Sequence, residues 1–295
     1  MSFVALDVET ANADLSSICQ IGLARCGERS IEATWGSYVN PEDEFDPVNV
    51  SIHGITPDIV RKAPTLPMIA DELKRQISSE VVVCHTHFDR VAISQAYSKY
   101  RLQAPNWCWL DTAKVARRAW QEFAQTGYGL KSICDFIGYE FHHHDALEDA
   151  KASAHILLAA MAKAGIDVQE WQQRVSRPIG FCGGDTSAGV ARVGNVEGAC
   201  HGEVLVFTGS LTVPRREAAD VAARIGCDVG DNVTKNTTML VVGDQDIRKL
   251  SRHKKSSKHL KAEALIAAGQ AIRILRESDF MELVKLGTPS QTGNA

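Results

Sequence analysis

Residues 3–10 of this 295-residue chain read FVALDVET, and this stretch decides the fold prediction. Its apolar part, Phe3–Val8, predicts a buried strand that opens the first domain. Because side chains alternate along a strand, Asp7 and Glu9 project from the same face at its carboxyl end. Two carboxylates at this spacing repel each other unless a cation lies between them, and hard divalent ions such as Mg²⁺ prefer oxygen ligands. The stretch therefore predicts a strand end that can hold a divalent metal ion.

The segments that follow predict a mixed sheet flanked by helices. Periodicity and punctuation by proline and glycine place further strands at about 18–25, 31–39, 81–84 and 107–110. They place helices at about 67–77, 88–100, 112–123, 129–137 and 146–164. Three consecutive strands followed by alternating helices and strands are typical of an α/β fold.

Past residue 175 the pattern changes twice. Residues 176–201 are rich in glycine and show little periodicity, which predicts a flexible linker. Residues 202–287 return to alternating strands and helices, which predicts a smaller α/β domain with a parallel sheet. Residues 288–295 predict a disordered tail. We therefore expect a first domain at 1–175, joined by the linker to a second at 202–287.

Composition and charge narrow the class of protein. Apolar residues make up 44% of the chain and charged residues 23%, the balance of an ordinary globular protein. No apolar run approaches the ~18 residues of a membrane span, and the first residues lack the basic and apolar regions of a secretory signal. The eight cysteines include no CxxC pair, which predicts reduced thiols. We expect a cytoplasmic protein with no membrane partner.

The two predicted domains differ in charge. Residues 1–175 hold 16 of the 32 basic and 23 of the 36 acidic residues, a net charge of −7. The remaining 120 residues carry +3, so that the whole chain carries −4. An acidic half and a basic half together predict two modules with different functions.

Three further polar residues extend the acidic pattern of the first strand. Asp89 follows the strand at 81–84, Asp149 lies inside the helix at 146–164, and His144 precedes Asp149 by five residues. Each has an ordinary explanation alone, as a helix-terminal or surface side chain. In the order Asp-x-Glu, Phe-Asp and His-x4-Asp they are much less expected by chance, and together they predict one site built from separate segments.

These motifs resemble the DEDD superfamily of 3′–5′ exonucleases, in its histidine-containing branch. Proofreading epsilon subunits of bacterial DNA polymerase III and ribonuclease T belong to that branch. The similarity covers the first 165 residues, and its motifs are Asp7-Val8-Glu9-Thr10, Phe88-Asp89 and the segment HDALED from His144 to Asp149, supported by Gln20-Ile21-Gly22 and His53-Gly54-Ile55-Thr56. One departure is His85, where the family usually has Asn, which puts a supporting hydrogen bond in doubt. The resemblance implies a ribonuclease H-like fold.

The resemblance also implies a mechanism. Two Mg²⁺ or Mn²⁺ ions per active site, roughly 4 Å apart, would bind the attacking water and the leaving 3′-oxygen. Asp7 would bridge both ions, Glu9 and Asp149 would serve the ion on the water side, and Asp89 would support the leaving-group side. His144 would be the general base, since an imidazole pKa near 6.5 suits proton removal at neutral pH.

Assignment of the base requires a choice among three consecutive histidines. Only His144 has the five-residue offset to Asp149, so we interpret His142 and His143 as loop residues. His53 is explained at least as well by a structural role, as a loop histidine with its hydrogen bonds satisfied, as by a functional one.

The resemblance also suggests contacts with the terminal nucleotide. Thr10 and Ala11 would offer it a small side chain and backbone amides. Phe88 would either stack on a base or belong to the core.

Residues 202–286 resemble the BRCT domain, most closely the one in bacterial DNA ligases. The similarity rests on Phe207-Thr208-Gly209 at the end of a strand, on a glycine that closes the next helix, and on the segment SSKHLKA. In phosphate-binding members this implies an anion site at Thr208, Gly209 and Lys258. The run 248–261 holds seven basic residues and no acid, and it enters the same helix. Most basic runs are solvated loops, and this run can be explained in that way. The functional alternative is that it contacts DNA or a phosphoprotein.

The sequence thus predicts a metal-dependent 3′–5′ exonuclease that acts on single-stranded or frayed DNA 3′ ends in repair or replication. A BRCT module would localise it, through a DNA 5′-phosphate or a phosphoprotein, within a polymerase or repair complex. Two alternatives remain open, an exoribonuclease with the same motifs and a non-catalytic repair scaffold. The presence of all five motif residues counts against the scaffold.

Overall fold

The computed structural model describes residues 2–77, 81–123, 127–176, 190–196, 198–244 and 255–287. The chain divides into two compact units, Met1–Pro178 and Ile179–Ala295. The predicted tail at 288–295 lies outside the described residues. Within the described ranges, no helix combines the length and the apolar character needed to cross a membrane.

The first unit is built on a five-stranded mixed sheet with the strand order β3-β2-β1-β4-β5. The strands are β1 (Phe3–Thr10), β2 (Ile18–Cys26), β3 (Ile31–Tyr38), β4 (Val81–Cys84) and β5 (Cys108–Asp111). Strands β1 to β3 run antiparallel, whereas β4 and β5 run parallel to β1. The predicted α/β fold with a mixed sheet is therefore confirmed.

Eight α-helices of the first unit are described, and one of them forms the main contact with the sheet. They are α1 (Pro47–His53), α2 (Pro57–Val60), α3 (Leu66–Gln76), α4 (Phe88–Lys99), α5 (Thr112–Ala119), α6 (Leu130–Ile137), α7 (Ala146–Ala164) and α8 (Val168–Ser176). The 19-residue α7 packs against both β1 and β2. Its buried positions share the main hydrophobic core with strand residues such as Phe3 and Val83 and with Trp171 of α8.

Two helices occur between residues 39 and 67, where the sequence placed neither a helix nor a strand. Proline was interpreted as punctuation, yet Pro47 and Pro57 each stand in the first turn of a helix. A first-turn residue donates no intrahelical hydrogen bond, so a proline there costs nothing. Asp46 completes the start of α1 by accepting a hydrogen bond from the Val48 amide.

The second unit holds a four-stranded parallel sheet with the order β7-β6-β8-β9. Its elements are β6 (Val204–Thr208), α9 (Arg215–Arg224), β7 (Asp228–Gly230), β8 (Met239–Val242), α10 (Ser257–Ala267), β9 (Arg273–Arg276) and α11 (Glu277–Gly287). Strand β8 is fully buried, and Phe207 of β6 meets Phe280 of α11 edge to face at a centroid distance of 5.4 Å. A small α/β unit with a parallel sheet was predicted here.

The predicted linker at 176–201 needs correction over its last part. Arg192 exchanges backbone hydrogen bonds with Val229 of β7, and the Cys200 amide donates to the Ile225 carbonyl. A side chain at Gly194 would meet the Gly226 carbonyl oxygen at 2.1 Å. Glycine in this segment permits close backbone packing on the second unit, and the sequence prediction had interpreted it as flexibility. Residues 177–189 lie outside the described part of the chain.

The contact between β2 and α7 is closer than any side chain would allow. A Cβ atom on Gly22 would lie 2.2 Å from the Ala146 carbonyl oxygen and 2.3 Å from the Leu147 amide nitrogen. Both obstacles are backbone atoms at the start of α7, so they cannot rotate away. The glycine therefore sets how near the first turn of α7 comes to the sheet.

We predict that Gly22→Ala lowers the free energy of unfolding by about 1–3 kcal/mol, because α7 must move off the sheet. The matched control is Gly36→Ala, one strand further in the same register, where the nearest atoms to a new Cβ are at 3.7–3.9 Å. Thermal unfolding of both variants measures the difference. Equal stabilities would contradict the close contact described above.

Candidate active site

Three acids meet at the carboxyl end of β1. Asp7 and Glu9 project from one face of the strand, as predicted, and Asp149 approaches from the first turn of α7. One carboxylate oxygen of each lies within 4.8 Å of one such oxygen of the other two. Asp7 and Asp149 are buried, and Glu9 is partly exposed. Three oxygen donors at this separation match the preference of Mg²⁺ and Mn²⁺, so the donor set fits the metal ions that the sequence predicted.

Asp89 is fixed beside this cluster by the sheet itself. Strands β1 and β4 pair through Val4 and Ala5. Further along β1, the amide of Val8 donates to Asp89 Oδ1 at 3.1 Å. Asp89 stands in the first turn of α4 and is 4% exposed. The structure thus places the fourth predicted acid next to β1, at the same end of the strand as Asp7 and Glu9.

Both His143 and His144 approach Asp149. The backbone amide of His144 lies 3.2 Å from Asp149 Oδ2, and His143 Nδ1 lies 3.0 Å from the same oxygen. The two imidazole rings are stacked, with centroids 3.9 Å apart. His144 has a left-handed backbone conformation with φ of 70°, which is uncommon outside glycine. His142 is exposed. The sequence predicted a base role for His144, which stays a prediction, and it interpreted His143 as a loop residue, whereas the structure brings the His143 imidazole to Asp149.

Gln20 of β2 connects the sheet to the start of α7. Its side-chain oxygen accepts a hydrogen bond from the Ala146 amide at 3.1 Å, and its amide nitrogen donates to Asp145 Oδ2 at 3.3 Å. Asp145 in turn caps α7 by accepting from the amides of Leu147 and Glu148. Because Gln20 pairs with Glu9 across the two strands, it fixes Asp149 relative to the acids of β1. The sequence showed Gln20 only as a supporting match.

His85, the departure from the family pattern, is buried and makes two described hydrogen-bond contacts. Its Nδ1 lies 2.8 Å from Thr112 Oγ1, and its Nε2 lies 2.9 Å from the Tyr128 carbonyl oxygen. These contacts join the end of β4 to the start of α5 and to the loop before α6. His85 therefore joins three segments of the first unit.

His53 is a structural histidine, which was one of the two interpretations of the sequence. Its Nδ1 accepts a hydrogen bond from the Ile55 amide, which leaves Nε2 to donate to the Thr10 carbonyl at 3.1 Å. Burial lowers the pKa of His53, although the hydrogen bond to Thr10 opposes this effect. The ring is thus a neutral donor that holds the end of β1 in place.

Two of the three predicted substrate contacts are corrected. Ala11 is fully buried, and its amide donates to the Ser17 carbonyl at 2.8 Å, so neither group can meet a nucleotide. Phe88 is 5% exposed and cannot stack on a base in this conformation. Its position in the first turn of α4 supports the alternative, a core aromatic beside Asp89. Thr10 is partly exposed and stays a prediction.

A second polar cluster lies in the second unit, where β6 ends and α10 begins. Thr208 Oγ1 lies 2.8 Å from Ser256 Oγ, which caps α10 by accepting from the His259 amide. Lys258 Nζ donates to the Phe207 carbonyl at 3.1 Å. Gly209 follows with φ of 75°. The structure thus brings together the three residues that the resemblance implied for phosphate binding.

Two members of this second cluster were missed by the sequence analysis. Arg215 donates to the Gly209 carbonyl at 2.7 Å, and Ser256 occupies the N-cap of α10. Burial lowers the pKa of Lys258, and the nearby Arg215 guanidinium lowers it further. A serine one residue before a helix is the signal that could have indicated Ser256.

The basic run at 248–261 is only partly within the described structure. Residues 248–254 lie outside it. Lys255, at the start of the described part, is paired with Glu263 of α10. A solvated loop and a DNA contact therefore both stay open as explanations of the run.

The fold and the acidic cluster indicate a class of protein, one with a candidate divalent-metal site at a strand end of a mixed α/β sheet. The family model described as exonuclease matches residues 4–157, more than half of the chain. The chain therefore belongs to the exonuclease family and is an enzyme that hydrolyses nucleic acid, which confirms the predicted enzyme class at this level. The matched region ends before the second unit.

Relatives and solved structures are similar to the first unit. A DNA polymerase III PolC-type from Caldanaerobacter subterraneus is 28% identical over 165 residues, which are 55% of this chain and 12% of the polymerase. The corresponding polymerase from Bacillus subtilis is 23% identical over 184 residues. The chain thus matches a small fraction of the length of these relatives. Escherichia coli exonuclease I in complex with a dA16 oligonucleotide superposes with a TM-score of 0.50 at 15% identity, over 59% of this chain and 43% of the other. That likeness supports the ribonuclease H-like exonuclease fold.

Proposed function

We propose that the chain is a 3′–5′ exonuclease that removes nucleotides from DNA ends with two bound Mg²⁺ or Mn²⁺ ions. The observation that carries this proposal is the meeting of Asp7, Glu9 and Asp149 at one strand end. Asp89 and His144 lie against the same site, so all five residues of the predicted set adjoin it. A relic without activity would have no need to keep this arrangement.

In the proposed mechanism, different residues of the chain have different roles in hydrolysis. Asp7, Glu9, Asp89 and Asp149 would hold the ions. When bound, such ions would stabilise the charge that develops on the phosphate and lower the pKa of the attacking water. The imidazole of His144 accepts the proton of that water and later releases it to solvent. Gln20 and Asp145 maintain the position of the α7 turn that carries Asp149.

DNA is the substrate that the comparisons favour. The two relatives described above are DNA polymerases, and the structure of exonuclease I was solved with a DNA oligonucleotide. A DNA 3′ end, single-stranded or frayed, is therefore our proposed substrate. RNA is the alternative, because the five motif residues face metal and phosphate and not the sugar.

We propose that the second unit is a BRCT domain that localises the enzyme. A parallel sheet of four strands and a polar cluster at Thr208, Gly209 and Lys258 support this proposal. A hydroxyl, a helix N-terminus and a cation together suit one phosphate group. The ligand would be a DNA 5′-phosphate or a phosphoprotein of a polymerase or repair complex.

We predict that Asp7→Asn lowers nucleotide release from 3′-labelled DNA by at least about 10³-fold, because a buried carboxylate that would hold the ions is lost. EDTA should have the same effect on the unsubstituted protein. The control is Asp58→Asn, which removes an acid whose side chain is 83% exposed. Matched DNA and RNA strands, compared under Mg²⁺, report the preferred sugar. Activity that survives both Asp7→Asn and EDTA would refute the proposed function.

We predict that His144→Ala lowers turnover by roughly 10²–10⁴-fold, the contribution of a general base. Substrate binding should change little, because the imidazole holds neither metal nor phosphate in this mechanism. The exposed His142, changed to Ala, is the control. A defect of this size in His143→Ala, with His144→Ala near normal, would assign the base to His143.

We predict that Lys258→Ala abolishes a preference for 5′-phosphorylated duplex ends, weakening that binding roughly tenfold. Lys261→Ala removes the same charge from an exposed position of the same helix and should keep the preference. Fluorescence anisotropy with phosphorylated and unphosphorylated duplexes measures the difference. Equal binding of both duplexes by the unsubstituted protein would exclude the 5′-phosphate and leave the phosphoprotein.

A further inference from the structure

The loop before α7 contains a second group of metal-ligating side chains. His143, His144 and Asp149 each offer one ligand atom, and these atoms lie within 4.8 Å of one another. Two of the three donors are imidazole nitrogens, whereas the neighbouring group of Asp7, Glu9 and Asp149 offers oxygens alone. Asp149 is common to both groups.

We propose that His143, His144 and Asp149 form an inhibitory site for a borderline divalent metal ion such as Zn²⁺. Imidazole nitrogen suits Zn²⁺, whereas Mg²⁺ requires near-octahedral oxygen coordination. The donor set of two His and one carboxylate also occurs in Zn²⁺ sites of proteins that keep a fourth position for water. The loop therefore selects a different class of ion from the acidic cluster beside it.

The geometry of the loop favours such a site. His143 Nδ1 lies 3.0 Å from Asp149 Oδ2, close to the separation of two ligand atoms that share a Zn²⁺ ion, given metal–ligand distances of about 2.0–2.2 Å. The His143 and His144 rings are stacked with centroids 3.9 Å apart, so both imidazoles lie on the same side of the loop, and one ring must turn out of the stack for both to bind one ion. The Asp149 carboxylate is 5% exposed and the His143 side chain is 32% exposed. The carboxylate is therefore fixed, and the ring of His143 can tilt to close the site.

Occupation of this site would stop hydrolysis, a consequence that rests on the proposed function. The bound Zn²⁺ ion would engage His144, the proposed base, and Asp149, a proposed ligand of the catalytic ions. Zn²⁺ should therefore inhibit the enzyme in the presence of excess Mg²⁺, and inhibition should depend on His143, which has no assigned step in hydrolysis.

The test compares the full chain with His143→Asn and with His142→Asn, its matched control one residue away. Zn²⁺ affinity is measured without nucleic acid, by competition with a chromophoric zinc indicator. We expect His143→Asn to weaken the affinity at least about tenfold, since even partners of a metal ligand contribute that much. His142→Asn should leave it unchanged. Co²⁺ provides a spectroscopic readout, because its visible absorption bands should be intense in the full chain and weak in His143→Asn.

Mg²⁺-dependent hydrolysis, followed on the same samples with and without Zn²⁺, separates this inference from the proposed function. Whatever its activity without Zn²⁺, His143→Asn should keep a larger fraction of its own Mg²⁺-dependent activity when Zn²⁺ is added than the unsubstituted chain and His142→Asn do. Zn²⁺ affinity and inhibition that are unchanged in His143→Asn would overturn the site, because the ion would then occupy the acids alone. If the unsubstituted chain has no nuclease activity and His143→Asn still binds Zn²⁺ more weakly than it, the result would support the site and refute the proposed function. Thermal unfolding checks the fold of each variant, and His143→Gln repeats the test should His143→Asn be unstable.

Discussion

The backbone contact between β2 and the start of α7 is the constraint on which the first unit depends. The Ala146 carbonyl lies where the side chain of any residue other than glycine at position 22 would be. Gln20, two residues earlier on the same strand, binds the same turn through Ala146 and Asp145. Because Asp149 is on that turn, the distance between the two segments also sets the distance between Asp149 and the acids of β1. One steric contact and two hydrogen bonds thus determine both the packing of the longest helix and the separation of the carboxylates.

The sequence predicted those parts of the site that follow from local periodicity. Strand alternation was sufficient to place Asp7 and Glu9 on one face, and the mixed sheet followed from the order of the strands. The role of Gln20 could not be predicted, because it depends on a contact between residues 126 positions apart. The burial of Phe88 and of Ala11 was equally inaccessible, since it depends on how α4 and the loop after β1 pack.

The second unit shows how composition alone can suggest the wrong property. Glycine between residues 176 and 201 predicted flexibility, yet the described part of this segment pairs with β7 and packs against Gly226. A glycine serves chain mobility and close backbone contact equally well, and only the partner distinguishes them. By contrast, the resemblance to the BRCT domain implied Thr208 and Lys258 together, and the structure brings the strand end and the helix start that carry them to one place.

The hydrogen bond between Asp89 and the Val8 amide gives this acid a structural role as well as a chemical one. The carboxylate satisfies a main-chain donor of the central strand beyond the point where β4 pairs with it. Loss of Asp89 would therefore take the acceptor from a partly buried main-chain amide, at a cost of up to about 1–3 kcal/mol. In a descendant that no longer cleaved its substrate, selection for chemistry would be relaxed at every acid of the site, whereas selection for folding would still act on this one. Such a pseudoenzyme should retain Asp89 after the other acids of the site had been substituted.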